Sequence, residues 1–457
     1  MKFTSEPIAE HAEVPLADEG RWEDIIAHWT HREAPARQRH EDGNACYVVS
    51  VQERRSPHSE AQLAEMLGLV RGQGDRIVGQ EIVTHKAPTP KTYIGQGMAR
   101  DIAARANNAG ADLLVLDAEL SPSQMRNLED TAGIRVSDRE AVILNVFQRS
   151  ARTRAARMQV EIAHLEYLRP RIRGLGLNMD QQAGGIMGSR GPGETASELM
   201  ARRLDGRLVE LRNALARFQR AGQMQRKHRA ATKRIALVGY TNAGKTSLMN
   251  ALTDADLSAR DQPFETLDTT SRSLTRHGGD VLISDTVGFI RRLPVRLLAS
   301  FESTLAEVLE ASLLALVVDV SDPEWEVHLS TSEQLLDRLG AQELRRFYIF
   351  NKTDRVPGLL NHANLASVTR GYAHLALSAW DVNAVSDLKR ALIAAARFQH
   401  QEIRLFVPYS AMRATAVIYS KCRVIDSDAS DTGLQLTVEG EPHILQQIQR
   451  LIKGDTQ

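Results

Sequence analysis

The sequence predicts an α/β protein, because segments typical of strands alternate with segments typical of helices along most of its 457 residues. Short apolar runs of the buried-strand type recur, as at residues 111–117 and 313–319. Helix-forming segments with apolar residues three and four positions apart lie between such runs. In addition, a glycine-rich loop follows one run near residue 240, and sheets of this class bind their ligands at such loops.

Composition restricts the class of protein further. A hydrophobic fraction of 42% is enough for packed cores, and the length predicts about three domains. The 57 basic and 57 acidic residues balance, so a polyanion would have to meet a local basic patch. Cys46 and Cys422 match no metal spacing, which favours a reducing compartment. With no leader and no apolar run long enough for a bilayer, we expect a cytoplasmic protein without a membrane span.

The first 148 residues contain two of the predicted parts. Residues 1–42 show little apolar periodicity and predict a mobile extension. Residues 43–148 predict an N-terminal α/β domain, with strands and helices at 47–51, 59–69, 77–84, 98–108 and 111–117. Gly95 and Gly97 resemble part of a dinucleotide-binding loop, but position 100 is Arg instead of a third glycine, which favours a tight turn.

Residues 149–230 predict a long helical hairpin. Apolar residues recur on two segments, at Ala155, Met158, Ile162, Leu165 and Leu168 and at Leu204, Leu208, Leu211, Leu215 and Phe218. Two amphipathic helices joined by one loop, here the glycine-rich and basic residues 171–197, are expected to pair antiparallel. The predicted helices are rich in arginine: Arg149, Arg152, Arg154 and Arg157 on the first, and Arg202, Arg203, Arg207, Arg212, Arg217 and Arg220 on the second.

Two interpretations of these arginines stay open at this point. They could form a solvated surface with intrahelical ion pairs to four carboxylates, Glu161, Glu166, Asp205 and Glu210. They could instead form an arm that docks on structured RNA, because a guanidinium group matches phosphate with two hydrogen bonds. Composition alone supports both equally.

Residues 231–400 predict a nucleotide-binding domain, centred on a strand, a loop and a helix at 233–250. The loop has the spacing G-x-x-x-x-G-K-[ST], and with the next residue it comprises Gly239, Tyr240, Thr241, Asn242, Ala243, Gly244, Lys245, Thr246 and Ser247. Backbone N–H groups of such a loop surround a polyphosphate, so glycine stands where a side chain would block the approach. Lys245 is expected to reach the β- and γ-phosphates as a catalytic group, and Thr246 to bind Mg²⁺.

Two further motifs are expected to bind the phosphates and Mg²⁺ together with the P-loop. The first is an exposed segment, Phe264, Glu265, Thr266, Leu267 and Asp268, whose Thr266 is expected to complete the Mg²⁺ shell only while a γ-phosphate is present. The second follows a predicted strand at 281–284 and comprises Asp285, Thr286, Val287 and Gly288. Asp285 would hold Mg²⁺ through water and the Gly288 N–H would contact the γ-phosphate, so Thr266 and Gly288 receive catalytic roles.

Two later motifs at strand ends are expected to bind the nucleotide base. The first comprises Asn351, Lys352, Thr353 and Asp354, and the second comprises Ser378, Ala379 and Trp380. Guanine offers N1–H and a 2-amino group as donors, so the Asp354 carboxylate accepts both, whereas adenine presents an unprotonated nitrogen. Asn351 is expected to brace the loop, and the Lys352 stem to cover the ring. The motifs together predict a GTPase that binds GTP or GDP with Mg²⁺.

The hydrolytic step has two unusual features. Phe289 stands where many GTPases keep a glutamine that orients the attacking water, so we expect slow intrinsic hydrolysis that a partner stimulates. Asn242 is placed where K⁺ could be coordinated beside the phosphates, or where its amide simply braces the loop. Equal turnover in sodium and potassium buffers would contradict the K⁺ hypothesis.

Residues 401–457 predict a small α+β domain, with strands at 405–407, 422–425 and 434–438 and helices at 411–419 and 442–452.

Several of these motifs resemble those of the HflX-type GTPases of the translation-factor class. The resemblance covers about residues 45 to 400 and is carried by YIGQG at 93–97, LSPSQMRNLE at 120–129, RGPGET at 190–195, GYTNAGKT at 239–246, FETLD at 264–268, DTVGFIRRLP at 285–294 and NKTD at 351–354. RGPGET and DTVGFIR are the specific ones. The chain departs from the family pattern in GGIMGS at 184–189, which is one residue longer, and in Met98, where a lysine is frequent.

The resemblance implies binding to the large ribosomal subunit, with the hairpin and its glycine-rich loop directed toward ribosomal RNA. It implies that the protein splits or rescues stalled ribosomes under stress. We expect a monomer without a DNA partner. A competing hypothesis is a regulatory GTP-binding protein whose hairpin docks on another protein without RNA.

Overall fold

The computed structural model describes residues 43–52, 58–84, 87–172, 196–227, 232–253, 270–274, 281–294, 308–356, 362–397, 401–440, 445 and 448–452. Three predicted segments lie outside these residues: the extension 1–42, the Mg²⁺-completing segment 264–268, and residues 173–195 with the RGPGET sequence.

The elements before the P-loop are β1 (Ala45–Gln52), α1 (Ser59–Gly72), β2 (Arg76–Thr84), α2 (Gln96–Asn108), β3 (Leu113–Leu116), α3 (Pro122–Ala132), β4 (Arg135–Asp138), α4 (Arg139–Ser150), α5 (Arg154–Ile172), α6 (Ala196–Lys227) and β5 (Lys233–Gly239). Those after it are α7 (Lys245–Thr253), β6 (Thr270–Ser273), β7 (Val281–Asp285), β8 (Leu313–Asp319), α8 (Trp325–Arg338), β9 (Arg346–Asn351), α9 (His362–Val368), β10 (His374–Ala376), α10 (Val382–Ala396), β11 (Gln401–Pro408), α11 (Met412–Lys421), β12 (Arg423–Ser430) and β13 (Gly433–Gly440).

Contacts divide the chain into two compact units, Met1–Arg55 with Gly74–Asp138, and Ser56–Gln73 with Arg139–Gln457. α1 therefore belongs to the second unit, although it follows β1 in the sequence. The domain boundaries expected at 42, 148, 230 and 400 stay predictions.

The first unit is built on a four-stranded parallel sheet in the order β2-β1-β3-β4. α3 begins with a capping box, because the Gln124 N–H donates to Ser121 Oγ and the Ser121 N–H donates to Gln124 Oε1. At Gly95 the backbone has φ +81°, and its N–H donates to Thr89 Oγ1 at 3.1 Å. This confirms the tight turn predicted there.

The second unit contains a six-stranded sheet in the order β10-β9-β8-β5-β7-β6, parallel except for β6, which pairs antiparallel with β7. β5 pairs with β7 on one side and β8 on the other, so the P-loop leaves the sheet from a central strand. Its apolar residues pack with α7 and α10 in one core, which includes Leu237, Leu248, Val317 and Leu388. The strands predicted at 281–284 and 313–319 are confirmed to within one residue, and β9 and β10 are the strands expected before the two base-binding motifs.

A helical layer belongs to the same unit: α1 packs on α4, α4 on α5, and α5 on α6. The hairpin prediction placed Arg149 and Arg152 on its first helix, and this is wrong. Arg149 lies in the last turn of α4, which ends at Ser150, and Arg152 lies in the connection, because Thr153 Oγ1 accepts the Ala156 N–H at 3.2 Å and so begins a new helix.

We call the two helices α5 and α6 the helical pair. Their ion pairs also differ from the prediction. The predicted carboxylates are used, but mostly between the two helices: Arg207 pairs with Glu161, Arg212 with Glu166, and Arg169 with Asp205. Only Arg207 with Glu210 is intrahelical among the pairs found in the described part of the two helices. Two packed helices offer each arginine a carboxylate on its neighbour as well as on its own helix.

The apolar stripe of α6 is buried over only part of its length. Leu204, Leu208 and Leu211 are buried, as predicted, but Phe218 is 53% exposed. The apolar periodicity of α6 therefore extends beyond the residues that are buried.

The C-terminal segment forms an antiparallel sheet in the order β11-β13-β12, covered by α11, with Leu405, Ile418 and Leu436 in its core. The strands predicted here are confirmed, although each is longer than expected. Residues 445 and 448–452 are helical, within the helix predicted at 442–452. Across the described ranges, no helix combines the length and apolar character needed to cross a lipid bilayer.

Candidate active site

The predicted phosphate and base motifs meet at one edge of the six-stranded sheet. β5, β7 and β9 run parallel and lead into the P-loop, Asp285–Gly288 and Asn351–Asp354, while β10 leads to Ser378–Trp380. Because carboxyl ends of parallel strands lie at the same edge, four sequence-distant motifs come together there. Thr266 and its neighbours are the only predicted site residues outside the described part of the chain.

The two P-loop glycines are needed for packing inside the protein as well as for phosphate approach. Gly239 has φ +149°, and a Cβ there would lie 2.3 Å from the Val317 carbonyl oxygen of β8. Gly244 has φ +91°, and a Cβ there would lie 2.3 Å from Asn351 Nδ2. A side chain at either position would push the loop away from the strands that hold it.

Lys245 is folded over the P-loop. Its ammonium donates to the carbonyl oxygens of Gly239 at 3.1 Å and Tyr240 at 2.8 Å. Burial lowers the pKa of Lys245 to about 8, although the nearby Asp285 carboxylate acts in the opposite direction. Among the described residues this buried ammonium is hydrogen-bonded to two neutral carbonyls and lies near one carboxylate, so it favours an anion, as a phosphate-binding group requires.

Thr246 and Asp285 form the candidate metal site. The Thr246 hydroxyl donates to Asp285 Oδ2 at 2.7 Å, and the Asp285 side chain is fully buried. Hydroxyl and carboxylate oxygens are the ligands that Mg²⁺ prefers, so the two residues fit this ion. Within the described residues there is no group of three or more His, Cys, Asp or Glu that could hold a metal. An ion at this pair would take its other oxygen ligands from the nucleotide and water.

The segment after Asp285 lies against the P-loop. Thr286 Oγ1 donates to the Leu237 carbonyl at 2.7 Å. The Phe289 N–H donates to the Gly239 carbonyl at 3.0 Å, and the Thr241 N–H donates to the Phe289 carbonyl at 2.7 Å. A Cβ at Gly288 would lie 3.1 Å from Lys245 Nζ, so this glycine is placed beside the phosphate-binding ammonium.

The Phe289 side chain is 1% exposed and serves as an anchor in the core. It cannot hydrogen-bond a water molecule, as the sequence already implied. The group that orients the attacking water must therefore come from elsewhere.

Asn351 braces the base side, as predicted. Its Nδ2 donates to the Ala243 carbonyl at 2.9 Å, and its Oδ1 accepts the Ala379 N–H at 3.1 Å. The buried amide thereby ties the P-loop to the Ser378–Trp380 loop. Ser378 Oγ in turn accepts the Trp380 N–H at 3.3 Å.

Lys352 is held from two sides. It has φ +64°, and its ammonium donates to the Asn242 carbonyl at 2.9 Å and pairs with Asp319 at 2.7 Å. Sequence reasoning found no functional signal in β8 and so missed Asp319; an acidic residue at the end of a buried strand was the available sign. Asp354 and Trp380 are both exposed to solvent.

Tyr240 is a second residue whose role the sequence did not show. The motif fixes only its place in the loop, but its ring stacks on His328 with centroids 3.8 Å apart, and its hydroxyl bonds to Glu65 of α1. No periodicity or motif links positions 65 and 240, so only the fold could show this contact.

Comparison with known proteins identifies the family. Residues 60–148 match the model of the N-terminal region of GTP-binding GTPases, residues 150–229 that of their middle region, and residues 234–352 that of a 50S ribosome-binding GTPase. Among solved structures, a GTP-binding protein from Sulfolobus solfataricus in complex with GDP is 22% identical, with a TM-score of 0.43, over 77% of this chain and 98% of that one.

Curated relatives match over most of the chain. GTPase HflX of Gluconacetobacter diazotrophicus is 40% identical over 398 residues, which are 85% of each chain. GTPase HflX of Escherichia coli K12 is 37% identical over 319 residues, 69% of this chain and 74% of that one. Such identity over such a length establishes common ancestry. The chain therefore belongs to the GTPase HflX family, and it is a GTP-hydrolysing enzyme.

Proposed function

We propose that this GTPase binds the large ribosomal subunit in the cytoplasm, with the helical pair directed toward ribosomal RNA, and that it splits or rescues stalled ribosomes under stress. The observation that carries the proposal is the match of residues 234–352 to a 50S ribosome-binding GTPase model. Relatives named GTPase HflX, similar over most of the chain, support it.

The charge of the helical pair fits an RNA partner. Its paired arginines, Arg169, Arg207 and Arg212, hold the two helices together. Arg203 and Arg217 are exposed and take part in no ion pair found among the described residues. Such arginines are available to phosphate oxygens, so the pair has one set of arginines for its own stability and another for a partner.

The nucleotide site supports a GTP-dependent switch. We infer that Mg²⁺ is held by Thr246, Asp285 and, in the GTP state, Thr266, and that Lys245 and the Gly288 N–H stabilise the charge of the γ-phosphate. Mg²⁺, when bound, supplies Lewis-acid stabilisation of the phosphate oxygens. With Phe289 buried, intrinsic hydrolysis is slow and is stimulated by the ribosomal partner. K⁺ beside Asn242 stays a hypothesis.

One observation favours the competing function, docking on a protein. Val209 and Phe218 of α6 are 57% and 53% exposed, and exposed apolar side chains are typical of protein interfaces. An arm of this kind would bind its partner with little dependence on salt.

Co-sedimentation with large ribosomal subunits, at several salt concentrations and with a non-hydrolysable GTP analogue, tests the proposal. The double variant Arg203→Glu with Arg217→Glu is compared with Arg338→Glu with Arg390→Glu, two exposed arginines of α8 and α10. Both variants change the net charge equally. We expect the arm variant to lose at least about tenfold in affinity, because two phosphate contacts become repulsive, and the control to lose less than about twofold.

Binding that falls steeply with salt and fails in the arm variant supports RNA docking. Binding to subunits that is insensitive to salt and equal in both variants would favour the protein-docking alternative. No co-sedimentation at low salt would contradict a ribosomal partner altogether.

A further inference from the structure

A cluster of buried and partly buried charged and hydroxyl groups surrounds the side chain of one P-loop residue, Tyr240. Its centre is the Tyr240 hydroxyl, which donates to Glu65 of α1 and accepts the backbone N–H of Arg291 at 3.0 Å. Arg139, the first residue of α4, pairs with Glu65 as well. We call these four residues, Glu65, Arg139, Tyr240 and Arg291, the Tyr240 junction.

The junction holds the backbone of Arg291 from both sides. Its N–H bonds to the Tyr240 hydroxyl, and its carbonyl accepts Arg139 Nη2 at 2.7 Å. The Arg291 side chain pairs with Glu324, which also bonds to His58. The next residue, Arg292, has φ +50°, a conformation that is uncommon for a residue with a side chain. The contacts therefore engage the N–H, the carbonyl and the side chain of Arg291 at once.

This turn lies three residues after Gly288, the residue expected to sense the γ-phosphate. Between them, Phe289 is bonded to the P-loop through both its N–H and its carbonyl. The segment from Gly288 to Arg291 is therefore fixed at two points, by the P-loop at Phe289 and by the junction at Arg291. Loss of the second point would leave the Gly288 peptide held by Thr286 on one side and by Phe289 on the other, with the chain after Phe289 released, and we expect the Gly288 N–H to shift as a result.

The protonation states of Tyr240 and Glu324 allow both side chains to keep their bonds to Glu65 and Arg291. Tyr240 and Arg139 are 7% and 3% exposed. Burial and the neighbouring Glu65 carboxylate raise the pKa of Tyr240, so its hydroxyl keeps the proton that it donates to Glu65. Burial would raise the pKa of Glu324, but hydrogen bonds from Arg291 and His58 outweigh it and lower that pKa. The carboxylate stays ionised and continues to hold Arg291.

We propose that Tyr240 and Glu65 are positioning residues for GTP hydrolysis: through the Arg291 backbone they hold the Gly288 N–H where the γ-phosphate of GTP must bind. α1 and α4 both precede residues 234–352, so a helical layer outside the nucleotide-binding segment sets the geometry of its γ-phosphate contact. The proposal concerns hydrolysis by the protein alone and is independent of any ribosomal partner.

Single-turnover GTP hydrolysis by full-length Tyr240→Phe, with GDP and GTP-analogue affinities, tests the proposal. The variant keeps the ring that stacks on His328 and removes only the hydroxyl. We expect the rate to fall about tenfold, which corresponds to about 1.4 kcal/mol. The GTP-analogue affinity should fall with it, whereas the GDP affinity should change less than about twofold, because GDP has no γ-phosphate.

Tyr348→Phe is the matched control. Tyr348 is buried as well, and its hydroxyl donates to a carboxylate, Glu333, at 2.6 Å, but it lies on β9, which β8 and β5 separate from β7 and the Asp285–Gly288 motif. This variant should lose thermal stability and keep its hydrolysis rate within about twofold. Glu65→Gln should slow hydrolysis like Tyr240→Phe, and the double variant should be no slower than either single one, since both act through one junction.

The proposal is overturned if Tyr240→Phe hydrolyses GTP as fast as the control, or if its GDP affinity falls as much as its rate, which would indicate a general distortion of the P-loop. Should Tyr240→Phe fail to fold, Glu65→Gln alone decides by the same two criteria.

Discussion

The nucleotide site and the helical pair are both rich in polar side chains, but they are stabilised by different kinds of contact. At the site, buried side chains bond to backbone groups, as Asn351 does to Ala243 and Ala379. In the helical pair, arginines and carboxylates meet at the surface, as in Arg212 with Glu166, whose side chains are 58% and 26% exposed. Buried hydrogen bonds are costly to break, whereas exposed ion pairs contribute little.

This difference corresponds to what each region must do. A nucleotide site works only if its donors are fixed before the ligand arrives, so buried bracing is required. A surface that meets a large polyanion needs charges that can exchange partners, and exposed arginines can do so at low energetic cost. Substitutions that break the two kinds of contact should therefore differ in size.

Asn351→Ala should have the largest effect. It removes two buried hydrogen bonds and leaves the Ala243 carbonyl and the Ala379 N–H without partners, which costs about 3 kcal/mol in all. We expect GDP affinity, measured by calorimetry, to fall about 100-fold. As a control, Asn145→Ala removes a single side-chain bond, to Gln73, in the helical layer and should leave affinity unchanged. Equal affinities for both variants would show that the bracing is dispensable.

The second prediction concerns the pH dependence of nucleotide binding at Lys245. Because burial lowers the pKa of Lys245 from 10.5 to about 8, the free protein loses this charge above that pH, while bound phosphate favours the charged form. Between about pH 8 and 9, GDP affinity should therefore fall by up to about tenfold per unit, and binding should take up a proton. Calorimetry in two buffers of different ionisation enthalpy measures this proton directly.

Stability should change in the opposite direction over the same window. The unfolded chain, with an ordinary lysine, binds more protons than the folded one between about pH 8 and 10.5, so the free energy of unfolding of the nucleotide-free protein should rise there. Lys245→Met removes the titrating group and serves as the control for both measurements. Proton uptake that persists in Lys245→Met would assign the effect to another residue.

The motifs that meet at one edge of the sheet could be found in the sequence because their constraints are local. Each motif follows a strand and has a spacing set by the ligand, so the P-loop, Asp285–Gly288 and Asn351–Asp354 could be identified without the fold. Asp319 and Tyr240 could not, because their partners, Lys352 and Glu65, are distant in sequence and no ligand fixes their spacing.

The helical pair shows the same limit of prediction from sequence. Periodicity predicted two amphipathic helices, and α5 and α6 are present. It could not predict that Glu161 and Glu166 would pair with arginines of the neighbouring helix, because intrahelical and interhelical partners give the same composition. Nor could it show that Phe218 is exposed. Helix existence is set by local sequence, whereas the choice of partner is set by packing.

The smallest effects are expected within the helical pair, where two similar ion pairs differ in burial. Arg207 is 8% exposed and bonds to Glu161 at 2.8 Å, so Arg207→Ala should destabilise the pair by about 1 to 2 kcal/mol. Arg212, 58% exposed, bonds to Glu166 at 2.6 Å, and Arg212→Ala should cost below about 0.5 kcal/mol. Amide hydrogen exchange of α5 and α6 in the full-length protein measures both as local opening free energies.

Double-mutant cycles with Glu161→Gln and Glu166→Gln separate the pairing energy from other losses, because the arginine stems also cover apolar surface. The coupling for Arg207 with Glu161 should exceed that for Arg212 with Glu166, and only the weaker one should disappear at high salt, since exposed pairs are screened. If both couplings were large and insensitive to salt, the helical pair would be held in the same way as the nucleotide site, and its arginines would be too firmly paired to exchange partners with RNA.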